Sequence, residues 1–206
     1  MKKIFFLSAV LLFSASLYSQ QKPDALKAYN EGRYKEAISI CQNEIVQTPR
    51  NIDSYVVLCW ALLKENRYDE AYSWAASGRE VSPYEPRLIE VQGEAMFYKG
   101  KNDDALKLFQ DYIAYAPNGG RIGLVYFLMG EIYIRQGQYN HADIAITTAV
   151  LYDDNNSNWY TRLGYAREKA GSYVQAIEAY ETALKIDPGI QDAVRGRDRS
   201  IASSRR

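Results

Sequence analysis

Histidine is nearly absent from this chain of 206 residues, with the single copy His141, and cysteine is limited to Cys41 and Cys59. One histidine and two distant cysteines form no set with metal-ligand spacing. No metal or other cofactor is therefore expected. Neither a phosphate-cradling glycine loop nor a nucleophile elbow occurs, and His141 has no second histidine as a partner. It reads as an exposed residue at the start of a helix. Net charge is lacking too: 25 Lys and Arg balance 25 Asp and Glu, leaving no electrostatic footprint for nucleic acid. Glu90 and Glu94 stand at i and i+4, the spacing of a paired acid and base. Without a pocket they read more simply as a solvated acidic stripe. No enzyme is expected.

Long apolar runs are missing except at the N-terminus, where Met1-Lys2-Lys3 precedes the charge-free, mostly apolar run from Ile4 to Leu17. Such a run makes roughly 21 Å of helix against a hydrocarbon core of about 30 Å. A secretory signal over residues 1–19 fits better than a transmembrane helix. Cleavage after Ser19 is the first choice; Leu17 is large for that site, so cleavage after Ser16 is the alternative. No cysteine lies nearby to accept a lipid anchor. The expected location is the periplasm or the medium. Membrane contact would then need an uncleaved signal or the basic C-terminal tail. Export would let a disulfide persist. However, Cys41 and Cys59 both fall in apolar helical patterns, where free thiols behave as small buried hydrophobes; the buried-thiol reading is preferred.

What the chain has in plenty is tyrosine, 18 copies against 6 Phe and 3 Trp, and an internal repeat. The stretches GRYKEAISICQNEIVQTP, NRYDEAYSWAASGREVSP, GKNDDALKLFQDYIAYAP, GQYNHADIAITTAVLYDD and GSYVQAIEAYETALKIDP align. Their alanines, Ala37, Ala71, Ala105, Ala142 and Ala176, recur at intervals of 34, 34, 37 and 34. In the last stretch Ala176, Ile177, Tyr180, Ala183 and Leu184 form one apolar stripe at helical spacing. Tyr160, Leu163, Gly164 and Arg167 continue that spacing on an earlier helix. Gly32, Asn66, Gly100, Gly137 and Gly171 separate the two helices of each repeat, where a left-handed residue is wanted. Pro49, Pro83, Pro117 and Pro188 close the second helices.

On these residues the chain resembles the tetratricopeptide repeat (TPR) family over residues 20–188. The family's small position in the first helix is held by Ala25, Cys59, Gly93, Gly130 and Gly164. Its aromatic before the second helix is held by Tyr34, Tyr68, Asn102, Tyr139 and Tyr173. Glu44 and Tyr112 depart from a position where the family prefers a small residue. The first repeat is the weakest, with a short first helix starting near Pro23. The resemblance implies an all-α, right-handed α-solenoid of antiparallel helix pairs, with five repeats. Residues 189–206 would form a basic C-terminal capping helix and tail. The tyrosine surplus is then mostly packing residues of the repeat. The extra residues of the longer interval fall within 118–123, and both a tolerated longer loop and a hinge remain open.

In that family the first helices line a concave groove that binds protein or peptide partners. The positions implied here are Asp53, Val56, Trp60 and Leu63; Arg87, Glu90, Glu94 and Phe97; Phe127, Glu131 and Ile134; and Asn158, Thr161, Tyr165 and Glu168. The core of the candidate site is Val56, Trp60, Glu90, Glu94, Phe97, Phe127, Glu131, Tyr165 and Glu168. Rings offer apolar contact at low entropic cost, and the glutamates would favour a partner with basic residues beside apolar anchors. The Lys and Asn set with which family adaptors hold a C-terminal carboxylate is lacking. The expected function is an exported scaffold or adaptor. The alternative is a carrier of an apolar small molecule, as a component of an envelope transport or assembly complex. Self-association through an exposed Trp74 is a third reading.

Overall fold

The computed structural model describes residues 24–205, so the leader lies outside the described residues. Eleven helices and no strand occur among the described residues. They are α1 (Ala25–Asn30), α2 (Tyr34–Gln47), α3 (Ile52–Lys64), α4 (Tyr68–Val81), α5 (Pro86–Tyr98), α6 (Asn102–Tyr115), α7 (Ile122–Arg135), α8 (Tyr139–Val150), α9 (Ser157–Lys169), α10 (Tyr173–Ile186) and α11 (Gln191–Ser204). Each helix packs on the next in sequence. The odd-numbered helices also touch along a row, α1 to α3, α3 to α5, α5 to α7 and α9 to α11. These neighbours define an inner row of first helices, and the even-numbered helices stand outside it. The expected solenoid of helix pairs is the observed fold.

The turns within each pair follow from backbone chemistry. Among the described residues, Gly32, Gly100, Gly137, Gly171 and the non-glycine Asn66 have positive φ. Added Cβ atoms at the four glycines would meet nothing within 4 Å. Backbone conformation, rather than crowding, therefore selects them, and Asn tolerates the left-handed region best after Gly. The residue after each turn donates its N–H five positions back, as Arg67 does to the Leu62 carbonyl at 2.9 Å and Ser172 to the Arg167 carbonyl at 2.9 Å. This is the Schellman closure that satisfies orphan carbonyls at a helix end.

Packing within a pair exchanges volume across it. A Cβ on Gly93 would come 2.5 Å from the Phe109 ring, one on Gly130 2.3 Å from Ile146, and one on Gly164 2.7 Å from Tyr180. A helix without a side chain at that point is what lets a large neighbour sink fully into the core. The same register positions hold Cys59 with Ala75 and Ala25 with Cys41, medium with small and all buried. Interiors packed to crystal density require such compensation. Both cysteines are free thiols. Burial pushes the Cys41 thiol up to about 12 and that of Cys59 further.

The two departures from the family pattern have local causes. Glu44 accepts a hydrogen bond from the buried Ser54 hydroxyl at 2.6 Å. Tyr112 is buried, and its hydroxyl accepts from the Arg121 backbone N–H at 3.3 Å. A Cβ on Gly119 would sit 2.3 Å from that hydroxyl. The longer interval thus carries a glycine where the large Tyr112 needs room, and the loop is tied down at Arg121. One cluster of apolar side chains, including Ile89, Phe109, Ile122 and Val125, crosses this joint.

At the C-terminus, α11 buries Ala193, Gly196 and Ser200 against the last pair. A Cβ on Gly196 would lie 2.2 Å from the Tyr180 ring, so Tyr180 is clasped between Gly164 and Gly196. Arg195 and Arg197 bind Asp192 and Asp198 of the same helix, and Arg199 reaches back to Glu168. The basic character of the cap is therefore largely spent on its own chain.

Candidate functional site

The inner row brings the expected residues to one side of the array but divides them into different classes. Val56 and Phe97 are core residues, and Arg135 stacks on Phe97 with its guanidinium 3.9 Å from the ring centre. Trp60 is half-buried beside Tyr29, with ring centres 5.9 Å apart. Its indole N–H finds no acceptor among the described residues. Phe127 is half-buried and stacked on Trp159 at 5.1 Å. Tyr165 is half-buried under Arg162 and Lys169. Of the flanking positions, Leu63 and Thr161 are buried, Ile134 is half-buried, and Asp53 and Asn158 are exposed. His141 is exposed against Tyr133, as expected. Trp74 is half-buried against Tyr55, with ring centres 6.2 Å apart, which corrects the expectation of an exposed ring.

The four glutamates are not a solvated stripe, and this revises the picture of free acidic groups. Glu90 is 0% exposed and Glu94 6%, and both bind Arg121 from the inserted loop, Glu90 at 2.9 Å from its Nε. Glu131 takes a two-pronged hydrogen bond from Arg162 at 2.6 and 2.9 Å. Glu168 takes one from Arg199 at 2.8 Å on each oxygen and also accepts from the Tyr180 hydroxyl at 2.8 Å. Buried charge persists only when paired, because desolvation costs several kcal/mol per ion.

In Glu90–Arg121, Glu131–Arg162 and Glu168–Arg199 the partners are 31 residues apart. Sequence reasoning located the glutamates and missed these arginines. The spacing of 31 alone does not single them out, because Glu36 and Arg67 share it and pair instead with Arg33 and Glu70.

The electrostatics differ between the clusters. Burial pushes the Glu90 carboxyl well above the ordinary carboxylate range, and the charge of Glu94 adds to this, with Arg121 opposing. Two carboxylates share one guanidinium, and Glu90 Oε2 has no partner among the described residues. Glu90 therefore holds its proton to higher pH than a free carboxyl does. At Glu168 burial acts upward, yet the hydrogen bonds from Arg199 and Tyr180 hold its carboxyl below the usual value.

Two open spaces flank Trp60. A narrow socket of about 60 Å³ is lined by Tyr29, Trp60, Leu63, Lys64, Glu94, Tyr98 and Arg121. A cleft of about 600 Å³ lies at the N-terminal end of the row, between the start of α1 and the helices α3 and α5. A further cleft of about 470 Å³ runs along the inserted loop, with Leu124, Tyr152 and Trp159 in its walls. No group of three metal-ligating side chains stands together among the described residues, and none of the described helices is long and apolar enough to cross a membrane. Arranged this way, the row offers aromatic and hydrogen-bonding contact.

Comparison with known proteins agrees with this architecture. Residues 92–119, 124–156 and 157–190 match models of the tetratricopeptide repeat. The chain is 25% identical over 138 residues to the Hsp70-Hsp90 organizing protein of Triticum aestivum, a match covering 66% of this chain and 23% of that protein. The chain thus spans about a quarter of that relative. Among solved structures, YrrB, described as a TPR protein with an unusual peptide-binding site, superposes with a TM-score of 0.71 at 16% identity, covering 80% of this chain and 84% of YrrB. MamA of Desulfovibrio magneticus RS-1 gives 0.68 at 17% identity, covering 81% and 93%.

Proposed function

We propose that this array of tetratricopeptide repeats is an exported, non-catalytic scaffold that holds a partner protein or peptide along its inner helix row. The observation that carries the reading is the row itself: half-buried rings at Trp60, Phe127 and Tyr165 lie between arginine–glutamate pairs fixed from neighbouring repeats. A surface whose charges are already paired and whose rings are already packed loses little entropy on binding. The peptide-binding description of YrrB and the organizing role in the name of the wheat relative favour the same use here. Because the four glutamates are engaged within the chain, partner contact there rests on the rings. The socket beside Trp60, about 60 Å³, is small against the roughly 300–1,000 Å³ of small-molecule sites. The cleft of about 600 Å³ on the other side of Trp60 is of that size, but Asp24, Glu44, Asp53 and Arg87 line it, which suits a peptide better than an apolar small molecule.

Export rests on Lys2, Lys3 and the apolar run to Leu17. Mass analysis of protein recovered outside the cytoplasm is expected to show a chain beginning at Gln20. Binding is tested by placing a photo-crosslinking residue at Tyr98 or Tyr165 on inner helices, and at Ile144 or Val174 on outer ones. Adducts are expected from the inner positions alone. Equal adducts from the outer positions, or none from the inner ones, would refute the reading.

A further inference from the structure

The first described helix of the inner row is short for its place. The other odd-numbered helices have 13 or 14 residues, whereas α1 has six. As described, α1 is about seven residues, two turns or roughly 10 Å of helix, shorter than its counterparts. The cause is chemical: Asp24 is extended, at φ −116° and ψ 105°, and its carboxylate accepts from the Lys27 N–H at 2.9 Å. That contact caps the helix and fixes its start.

Beside α1 lies the cleft of about 600 Å³. Ala25, Leu26, Val56, Val57 and Trp60 supply its apolar walls, and Leu26 is 47% exposed although it lies on the inner row. The polar walls include the carboxylates of Asp24, Glu44 and Asp53. Among the described residues Arg87 is the single cationic side chain lining the cleft, and it is already held by Glu85 at 2.7 Å and by Asp53 at 2.8 Å. Asp53 itself remains 75% exposed. Trp60 adds an unmet donor.

We infer that this cleft is completed by an amphipathic partner segment of about two helical turns, with apolar side chains on one face and lysine or arginine at its edge. Its apolar face takes the position that two further turns of α1 would occupy, and its cation faces Asp24 and Asp53. This rests on the scaffold reading and assigns a partner chemistry to one end of the row. It also places the basic partner residues opposite the N-terminal rim, instead of opposite the paired glutamates.

The test uses the processed full chain and a dye-labelled, ten-residue peptide amide with leucines at i, i+3, i+4 and i+7 and lysines flanking them, read by fluorescence anisotropy. Saturable binding is expected, weakened about tenfold by Asp53→Lys and likewise by Leu26→Glu. Both changed residues are exposed, and circular dichroism verifies that each variant folds. The counterpart peptide with glutamate for lysine is expected to bind the parent protein at least tenfold more weakly and to gain on Asp53→Lys. Equal binding of both peptides, indifference to both substitutions, or no binding would overturn the inference. So would binding that emerges only when the residues before Asp24 are deleted, since the chain's own segment would then be the occupant. Crosslinks at Tyr98 and Tyr165 do not probe this cleft, so the scaffold reading stands or falls separately.

Discussion

At the scale of single residues, the Glu90–Glu94–Arg121 cluster sets the sharpest expectation. Glu90 is fully buried, and its carboxyl is raised by that burial and by Glu94. The folded chain therefore binds this proton more tightly than the unfolded chain does. The resulting stability is fully present below the ordinary carboxylate value and is lost as pH rises through the raised one. Glu90→Gln imitates the protonated acid: its oxygen accepts from Arg121 and its amide donates to Glu94. Thermal melts recorded upward in pH are expected to fall for the parent and to stay flatter for Glu90→Gln. Arg121→Met would leave Glu90 and Glu94 without their shared countercharge beneath the inserted loop, at a cost of about 3–5 kcal/mol at neutral pH by urea unfolding. A loss under about 1 kcal/mol would show that the cluster is not a structural clamp.

At the scale of helices, volume exchange decides which pairs close tightly. Gly164→Ala would drive a Cβ into the Tyr180 ring at 2.7 Å, where overpacking costs about 1–3 kcal/mol. Tyr180→Leu frees that space, so the double variant is expected to lose less than the sum of the singles, and a double-mutant cycle in urea measures the difference. The inserted loop belongs to the same scale. Gly119 donates its N–H to the Ala116 carbonyl at 2.9 Å and Ile122 donates to Gly119 at 3.0 Å. Both amides are expected to exchange as slowly as those in the other turns between repeats. Fast exchange confined to this loop would instead support a hinge between the third and fourth repeats.

At the scale of the whole molecule, the two ends of the array are finished differently. The C-terminal end is closed by α11, which covers Tyr180 and pairs with Glu168 through Arg199. At the N-terminal end the first described helix is the short α1, and a cleft lies beside it. Repeat arrays are stabilised between neighbours, so losing a cap weakens the adjoining repeat first. Truncation after Gly189 is expected to lower the melting temperature, and fast amide exchange should appear in α9 and α10 while α3 to α5 stay protected. Uniform loss of protection would indicate that the array unfolds as a single unit.

Most of the fold was legible in the chain because local rules specify it. A period near 34 residues, a glycine or asparagine at each left-handed turn and apolar stripes at helical spacing dictate helix pairs wherever they occur. Even the volume exchange could be read, since each glycine recurs at a fixed offset from its large neighbour. The binding face was legible only as a set of positions. Sequence placed Glu90, Glu94, Glu131 and Glu168 on the inner row, but it did not show that each would meet an arginine from the following segment. Those partners lie on different repeats and are chosen by inter-helix distances and side-chain reach, which no single repeat encodes. Tertiary structure alone decided that the glutamates are desolvated and paired, and that Asp24, Glu44 and Asp53 share a cleft beside α1. Burying a carboxylate is tolerable only with its countercharge in place, and folding is what brings that charge near.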